Sequence, residues 1–321
     1  MATPSVTIPG GTLPVPRLGF GGAGLAGGPS RKHSQHLLET AFEHGIRHFD
    51  VAPSYGLGGA EDVLGEFAAR HRHEITITTK FGIARPQGNR RWLMQWARAA
   101  ARPIVNRLPF IKRRLLAELS RRAPAPPDLG AGEVLLSLET SLRALRTERI
   151  DLFLLHEVDA NGLRDELIGA LERAGRDGKI GAWGIGSARR KIDGLSAAQL
   201  AHARALQFEW SPVARRRPDY PGAFLITHQA IAGALAPLTV RLADPAVCRA
   251  WSHDAGLDLA DRRELARAIL ASALAANPGG IVLFWSGDPD RLRSNALALD
   301  ARYQQPGQRL LQLAGQNPAS A

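Results

Sequence analysis

About eight strand-then-helix units follow one another in a chain of 321 residues, which predicts an α/β fold, a single (β/α)8 TIM barrel with an N-terminal β-hairpin. Three observations carry this expectation. Short apolar runs recur along the chain, several end in a polar residue or a glycine, and amphipathic stretches separate them. No segment has the composition of a linker, so residues 1–321 are expected to form one domain.

The hairpin is Val6-Thr7-Ile8 with a turn at Gly10-Gly11. Arg17-Leu18-Gly19-Phe20-Gly21-Gly22 gives the first barrel strand and its glycine turn, and Ser34 to His44 a helix. Ile46 to Val51 is a short buried strand, turned away by Ala52-Pro53-Ser54. Residues 60–71 are helical and 75–80 form the third strand. Glu133 to Arg146 places Leu135, Leu138, Leu142 and Leu145 on one helical face. Asp151 to His156 is a strand, and Leu163 to Arg176 a helix ended by Asp177-Gly178. Ile180 to Ile185 is a strand; 206–208 and 224–227 are weaker ones. Asp261 to Ala275 is a helix, Gly280 to Phe284 a strand and Pro289 to Leu299 a helix. The tail from about residue 304 is expected to be loose.

The apolar fraction of 45% and charged fraction of 22% are those of a soluble globular protein. No apolar stretch is long enough to span a bilayer. Met1-Ala2-Thr3-Pro4-Ser5 has no basic flank leading into an apolar run, so no signal peptide is expected. Cys248 is the single cysteine, which excludes an intrachain disulfide and suits a reducing compartment; the expected location is cytoplasmic.

One segment breaks the rhythm. Residues 84–132 form a basic, lid-like insertion after the third strand, where a loop of roughly two to six residues is usual. Residues 85–128 hold eleven Arg or Lys and two acidic residues, most of the net charge of +11. Arg91 to Ala101 and Phe110 to Arg122 pattern as helices that mix Trp92, Trp96, Ile111 and Leu115 with arginines. Three readings stay open: a lid packed on the barrel, a site for an anionic substrate or acidic partner, and a membrane-surface contact through residues 90–122. No nucleic-acid-binding module accompanies the charge, so no nucleic acid is expected as a partner.

Four ionisable residues stand at the mouths of three apolar strands: Asp50, Tyr55, Lys80 and His156. On an α/β barrel the strand C-termini carry the chemistry. An ammonium beside a phenol favours the phenolate, and a carboxylate would hold the ammonium. A neutral His could orient a substrate oxygen. Together they make a proton relay for a carbonyl gaining a hydride or an alcohol losing one. Hydride does not come from a side chain, so a nicotinamide cofactor is implied. The alternative is a buried Asp50–Lys80 ion pair beside an ordinary packed His and Tyr.

The stretches Phe49-Asp50-Val51-Ala52-Pro53-Ser54-Tyr55-Gly56, Thr79-Lys80-Phe81-Gly82, Ser141 to Leu145, Ile150 to His156 and Gly178 to Gly186 resemble the aldo-keto reductase family. The resemblance covers nearly the whole chain outside the insertion. It implies a TIM barrel that binds NADP(H) in extended form, NAD being the other choice, and acts on a small carbonyl or alcohol. It also implies a catalytic tetrad in which Tyr55 is the general acid, Lys80 tunes it, Asp50 anchors Lys80 and His156 orients the carbonyl. By the same resemblance Gln207 and Ser187 contact the carboxamide and His228 takes the place of a stacking aromatic. Gly22 lines the barrel mouth, and Ser286 and Arg291 face the 2′-phosphate. Trp285 stands where many relatives have a Lys, which favours NADP less strongly and keeps an NAD-dependent sugar or alcohol dehydrogenase as an alternative. A nicotinamide-binding interaction protein that docks through the basic insertion is the alternative of another class.

Two signals are set aside. Gly19-Phe20-Gly21-Gly22-Ala23-Gly24 satisfies G-x-G-x-x-G, but roughly nine residues including Pro29 separate it from the helix at Ser34, against the dinucleotide-binding context. His71-Arg72-His73 lacks companions for a metal, and no metal is expected.

Overall fold

Eight parallel strands close on themselves in the computed structural model, which describes residues 5–25, 30–86, 130–214, 216 and 218–315. A two-stranded hairpin, β1 (Ser5–Thr7) with β2 (Pro14–Pro16), precedes the barrel. The barrel strands are β3 (Leu18–Gly21), β4 (His48–Asp50), β5 (Thr76–Phe81), β6 (Ile150–His156), β7 (Ile180–Gly186), β8 (Ala205–Glu209), β9 (Phe224–His228) and β10 (Ile281–Phe284). They neighbour one another in sequence order, and β10 closes against β3. The (β/α)8 barrel and the N-terminal hairpin are as the sequence implies.

Side chains alternate across each strand, and the two faces build two apolar layers. Leu152, Leu154, Ala205, Ile226, Ile281 and Leu283 fill the barrel interior, where Ile8 and Val15 of the hairpin join them. The hairpin is tied there through its turn, since Arg149 Nη2 donates to Gly10 O at 2.5 Å. Gly10 has φ +71° and lies so close to Gly181 that a Cβ would meet Gly181 O at 2.0 Å. The larger layer lies between sheet and helices and includes Phe20, Phe49, Phe67, Phe153 and Phe208.

The helices largely follow the expected boundaries: Arg31–Glu43, Ala60–His71, Ala131–Leu145, Asp165–Arg176, Arg262–Ala276 and Pro289–Ala296. Several starts have a chemical cause. Asp261 accepts from the amides of Arg263 and Glu264, and Asp288 from those of Asp290 and Arg291. Ala230–Arg241 and Pro245–Ala255 are also helical, the first packing on Arg262–Ala276 and β10 and the second on Gln304–Gly315. The first gives no expectation because its Ala-rich sequence has little contrast between faces.

The tail differs from the expectation of a loose segment. Gln304–Gly315 is a helix that buries Leu310, Leu311 and Leu313. Gly307 makes that packing possible, because a Cβ there would lie 2.6 Å from the Ala271 carbonyl carbon. Most of the basic insertion, residues 87–129, lies outside the described residues, and with it the expected helices, the lid-like packing and the membrane contact through 90–122. Among the described residues no helix is long and apolar enough to cross a membrane.

His48 is buried in the barrel interior, with Nδ1 2.9 Å from Thr76 Oγ1. Burial, helped by the Lys80 charge and opposed by Asp50, pushes its pKa down from 6.5 to about 4. The contribution of this depressed pKa to stability is complete above pH 6.5 and is lost as pH falls towards 4, because only the unfolded chain then takes up the proton. Unfolding free energies from denaturant melts should therefore fall across that window. A His48→Asn variant should show a shallower slope; parallel slopes would refute the assignment.

Candidate active site

Two-residue periodicity places the polar strand-end residues on one surface. His48 and Asp50 share a face of β4, as do Thr76, Thr78 and Lys80 on β5 and Leu152, Leu154 and His156 on β6. The register sets Asp50 beside Thr78, Lys80 beside Leu154, and Gly186 of β7 beside both His156 and Gln207. Asp50, Lys80, His156 and Gln207 thus converge at the C-terminal mouth of the barrel.

Asp50 is the centre. Lys80 Nζ donates to its Oδ1 at 2.5 Å, and Gln207 Nε2 donates to its Oδ2 at 2.7 Å. Lys80 also donates to Val51 O at 3.0 Å. Asp50 and Lys80 are 3% and 1% exposed, so each charge depends on these partners rather than on water. Tyr55 enters from the loop after β4. Its ring centroid lies 4.9 Å from Lys80 Nζ and 6.0 Å from the His156 ring, which stands edge-on to it at 85°.

Burial decides the protonation of this group. It raises the Tyr55 pKa above the ordinary phenol value of 10.0, and the Lys80 charge only partly opposes it. The sequence expectation that the ammonium would lower this pKa therefore names a real effect, but the smaller one. Burial also works against the Lys80 charge, yet Asp50 and Tyr55 outweigh it and leave the Lys80 pKa raised. His156 is pushed down to about 3, first by burial and then by Lys80, so its imidazole is neutral at ordinary pH. His228, half-buried at the end of β9, is also lowered by burial. The arrangement supplies a neutral phenol, a neutral imidazole and one fixed cation.

The remaining candidate residues fall into two groups. Gly22, Ser187, Gln207 and His228 border this mouth, whereas Ser286 lies in the turn after β10 and Arg291 in the first turn of the helix Pro289–Ala296. Gly22 is held against β4: a Cβ would lie 2.7 Å from Val51 Cγ1 and 2.9 Å from Asp50 O. Gln207 gives its amide N–H to Asp50, while its Oε1 faces Gly186, where a Cβ would lie 3.2 Å away. Gly22 and Gly186 place no side chain here, and the Gln207 Oε1 and the neutral imidazoles of His156 and His228 are the hydrogen-bonding groups beside them. Ser187 Oγ donates to Val158 O at 3.0 Å, which leaves its oxygen as an acceptor. In the outer turn, Ser286 Oγ accepts from the Asp288 amide at 3.1 Å and donates to Asp288 O at 3.0 Å. Arg291 is exposed and pairs with Asp288, Nε to Oδ2, at 3.4 Å. Trp285 packs 5.2 Å from the Phe20 ring and directly over Gly24.

Sequence reasoning overlooked the Gln207–Asp50 bond and the buried polar set around Glu61. Thr79 Oγ1 donates to Glu61 Oε1 at 2.6 Å, and Arg85 pairs with Glu61 Oε2. The available signal was a glutamate at the start of an apolar helix, which by itself also fits an exposed first turn. His71 stacks on Phe42 and Phe67 between Glu39 and Glu74. Among the described residues no group of three or more His, Cys, Asp or Glu side chains is placed to hold a metal.

An eight-stranded parallel barrel with a Tyr, Lys, Asp and His at its C-terminal mouth defines a class of (β/α)8 barrels with buried ionisable side chains at the strand ends. The model of the Aldo/keto reductase family matches residues 17–221, and the chain belongs to that family. It is 29% identical over 204 residues to probable aldo-keto reductase 1 of Glycine max, covering 61% of this chain and 48% of that protein. It is 31% identical over 185 residues to D-threo-aldose 1-dehydrogenase of a Pseudomonas species, covering 54% and 51%. The chain thus spans about half the length of the curated relatives it matches. The crystal structure of a Klebsiella pneumoniae aldo/keto reductase in complex with NADP and acetate superposes with a TM-score of 0.65 at 19% identity, covering 99% of this chain and 97% of that one. At that identity the likeness speaks for the fold.

Removing one member of the central pair should expose its cost. Lys80→Met leaves Asp50 buried beside Gln207 alone and should destabilise the protein by about 3–5 kcal/mol in denaturant unfolding at neutral pH. Lys80→Met combined with Asp50→Asn should recover most of that loss. A double variant as unstable as the single one would show that the pair is not what holds this end of the barrel.

Proposed function

We propose that this chain is an NADP(H)-dependent oxidoreductase that interconverts a small carbonyl compound and its alcohol, with Tyr55 giving or taking the proton. The observation that carries the proposal is the bonded Lys80–Asp50–Gln207 chain beside Tyr55 and His156. Gln207, Ser187, His228 and Gly22 would hold the nicotinamide end of the cofactor, and Ser286 and Arg291 the phosphate end. When bound, the cofactor supplies or accepts the hydride.

The residues of the chain manage the oxygen and its proton. His156, neutral because burial holds its pKa to about 3, can donate a hydrogen bond to the carbonyl oxygen without adding a charge. Tyr55, kept protonated by its own burial, can then give its proton to the developing alkoxide. Lys80 remains charged and stabilises the phenolate left behind, and Asp50 holds Lys80 in place. In the reverse direction the phenolate takes the alcohol proton, so oxidation gains from alkaline pH and reduction does not. Tyr55→Phe should lower kcat for reduction by about 10²–10⁴-fold while leaving NADPH affinity within about twofold. Near-normal turnover of aldehydes, ketones or sugars by that variant would remove the assignment. In the parent enzyme reduction should hold across neutral pH and decline only on the alkaline side.

A second reading, NAD as the working cofactor, has its own support. Trp285 supplies no cation, and Arg291 is already paired with Asp288. The matched Pseudomonas relative is named an aldose dehydrogenase, which makes sugar oxidation the natural activity to test. If NADP is the cofactor, Arg291→Ala should weaken NADPH binding roughly tenfold or more and leave NADH unchanged, as expected for loss of a charge-assisted hydrogen bond. Equal effects on both cofactors, measured by fluorescence titration, would favour NAD.

A further inference from the structure

Tyr55 stands on a strained loop. Gly56, Leu57 and Gly58 all have positive φ, of 57°, 57° and 85°, and Leu57 is not a glycine. Such a run persists only where the surroundings hold it. The loop makes its own bonds, Tyr55 N–H to Ala52 O at 3.0 Å and Gly59 N–H to Gly56 O at 3.3 Å, and the side chain that holds it from outside is Arg85, five residues beyond Lys80. Its Nη1 donates to Gly58 O at 3.1 Å, and its Nη2 pairs with Glu61 Oε2. The other oxygen of Glu61 accepts from Thr79 Oγ1 at 2.6 Å, and Thr79 directly precedes Lys80 on β5. Glu61 is only 1% exposed, so this carboxylate has exchanged water for these partners.

A continuous polar path therefore runs from the strand bearing Lys80, through Glu61 and Arg85, to the loop bearing Tyr55. We propose that Arg85 and Glu61 are positioning residues, a crossbar that fixes the phenol of Tyr55 relative to the Lys80 ammonium. The inference rests on Tyr55 and Lys80 acting as the proton relay. Neither crossbar residue touches the reacting atoms. Their effect is geometric, and it appears in the pull that Lys80 exerts on the phenol. The titratable groups that face Tyr55 are Lys80, Asp50, Glu157 and His156. Those around Glu61 are Arg85 and Asp62, the latter 3.8 Å from Arg85 Nη1.

The test reads the phenol directly. The chain has three tyrosines, and burial with the Asp193 bond pushes Tyr220 up to about 12. An ultraviolet tyrosinate titration of the parent minus that of Tyr55→Phe isolates the Tyr55 component. In Arg85→Ala this component should move to higher pH, because the ammonium no longer lies close enough to oppose burial. The variant's kcat for carbonyl reduction should fall about tenfold or more, since small misplacements of reacting groups are costly, with cofactor affinity within about twofold. Arg85→Lys keeps the charge beside Glu61 and should restore part of both effects. A Tyr55 transition that does not move overturns the proposal whatever happens to the rate, and an unchanged kcat overturns it equally. Absence of turnover in the parent would instead overturn the oxidoreductase reading, while the titration shift still decides the crossbar.

Discussion

Lys80 lies inside a closed sheet, and a lysine there keeps its charge only if something replaces the water it gave up. Asp50 supplies the opposite charge at 2.5 Å, and Val51 supplies a carbonyl. Asp50 in turn has Gln207 on its second oxygen, three strands farther round the barrel than β5. A buried pair of this kind is weak evidence for stability, because hydrophobic replacements often do as well. It is strong evidence for geometry. It is satisfied only if β4, β5 and β8 keep their registers, since a one-residue slip would turn each side chain to the opposite face.

The same burial sets the chemistry. One effect, removal from water, raises the phenol and lowers both imidazoles, so the phenol and the imidazoles at the mouth are held in their neutral forms. Lys80 escapes because two neighbours outweigh its burial. A site built this way holds a single permanent cation next to a proton donor. That is the distribution required when negative charge develops on an oxygen and then moves to a phenol. In the proposed reaction the ammonium would stabilise the product of proton transfer rather than prepare the phenol in advance.

Much of this was legible in the sequence, for a specific reason. A polar residue closing an apolar strand stands out against its neighbours, so Asp50, Lys80 and His156 mark both the strands and the mouth. Their meeting follows from barrel closure. Gln207 was named through the family resemblance, but its bond to Asp50 was not, because a contact spanning 157 residues leaves no trace in local pattern. Glu61 and Arg85 were hidden by the habit of charged residues to lie on solvated faces. The terminal helix was missed because Gln304-Gln305-Pro306-Gly307 has turn chemistry, and Gly307 is there for close packing against Ala271 rather than for a turn.

The two ends of the site are built differently, and that difference bears on how cofactor choice can change. At the proposed nicotinamide end Asp50 serves both Lys80 and Gln207, and a Cβ on Gly22 would meet Val51 Cγ1 at 2.7 Å. A substitution there disturbs several contacts together. At the outer end, Ser286, Asp288 and Arg291 satisfy one another within six residues, and Asp288 caps the helix that begins at Pro289. An incoming phosphate would have to share Arg291 with Asp288 and approach a helix start that already holds a carboxylate. In the proposed cofactor site, the balance between a phosphorylated and an unphosphorylated ribose would be set by the buried Ser286, the half-buried Asp288 and the exposed Arg291, which can vary without touching the Lys80–Asp50 pair.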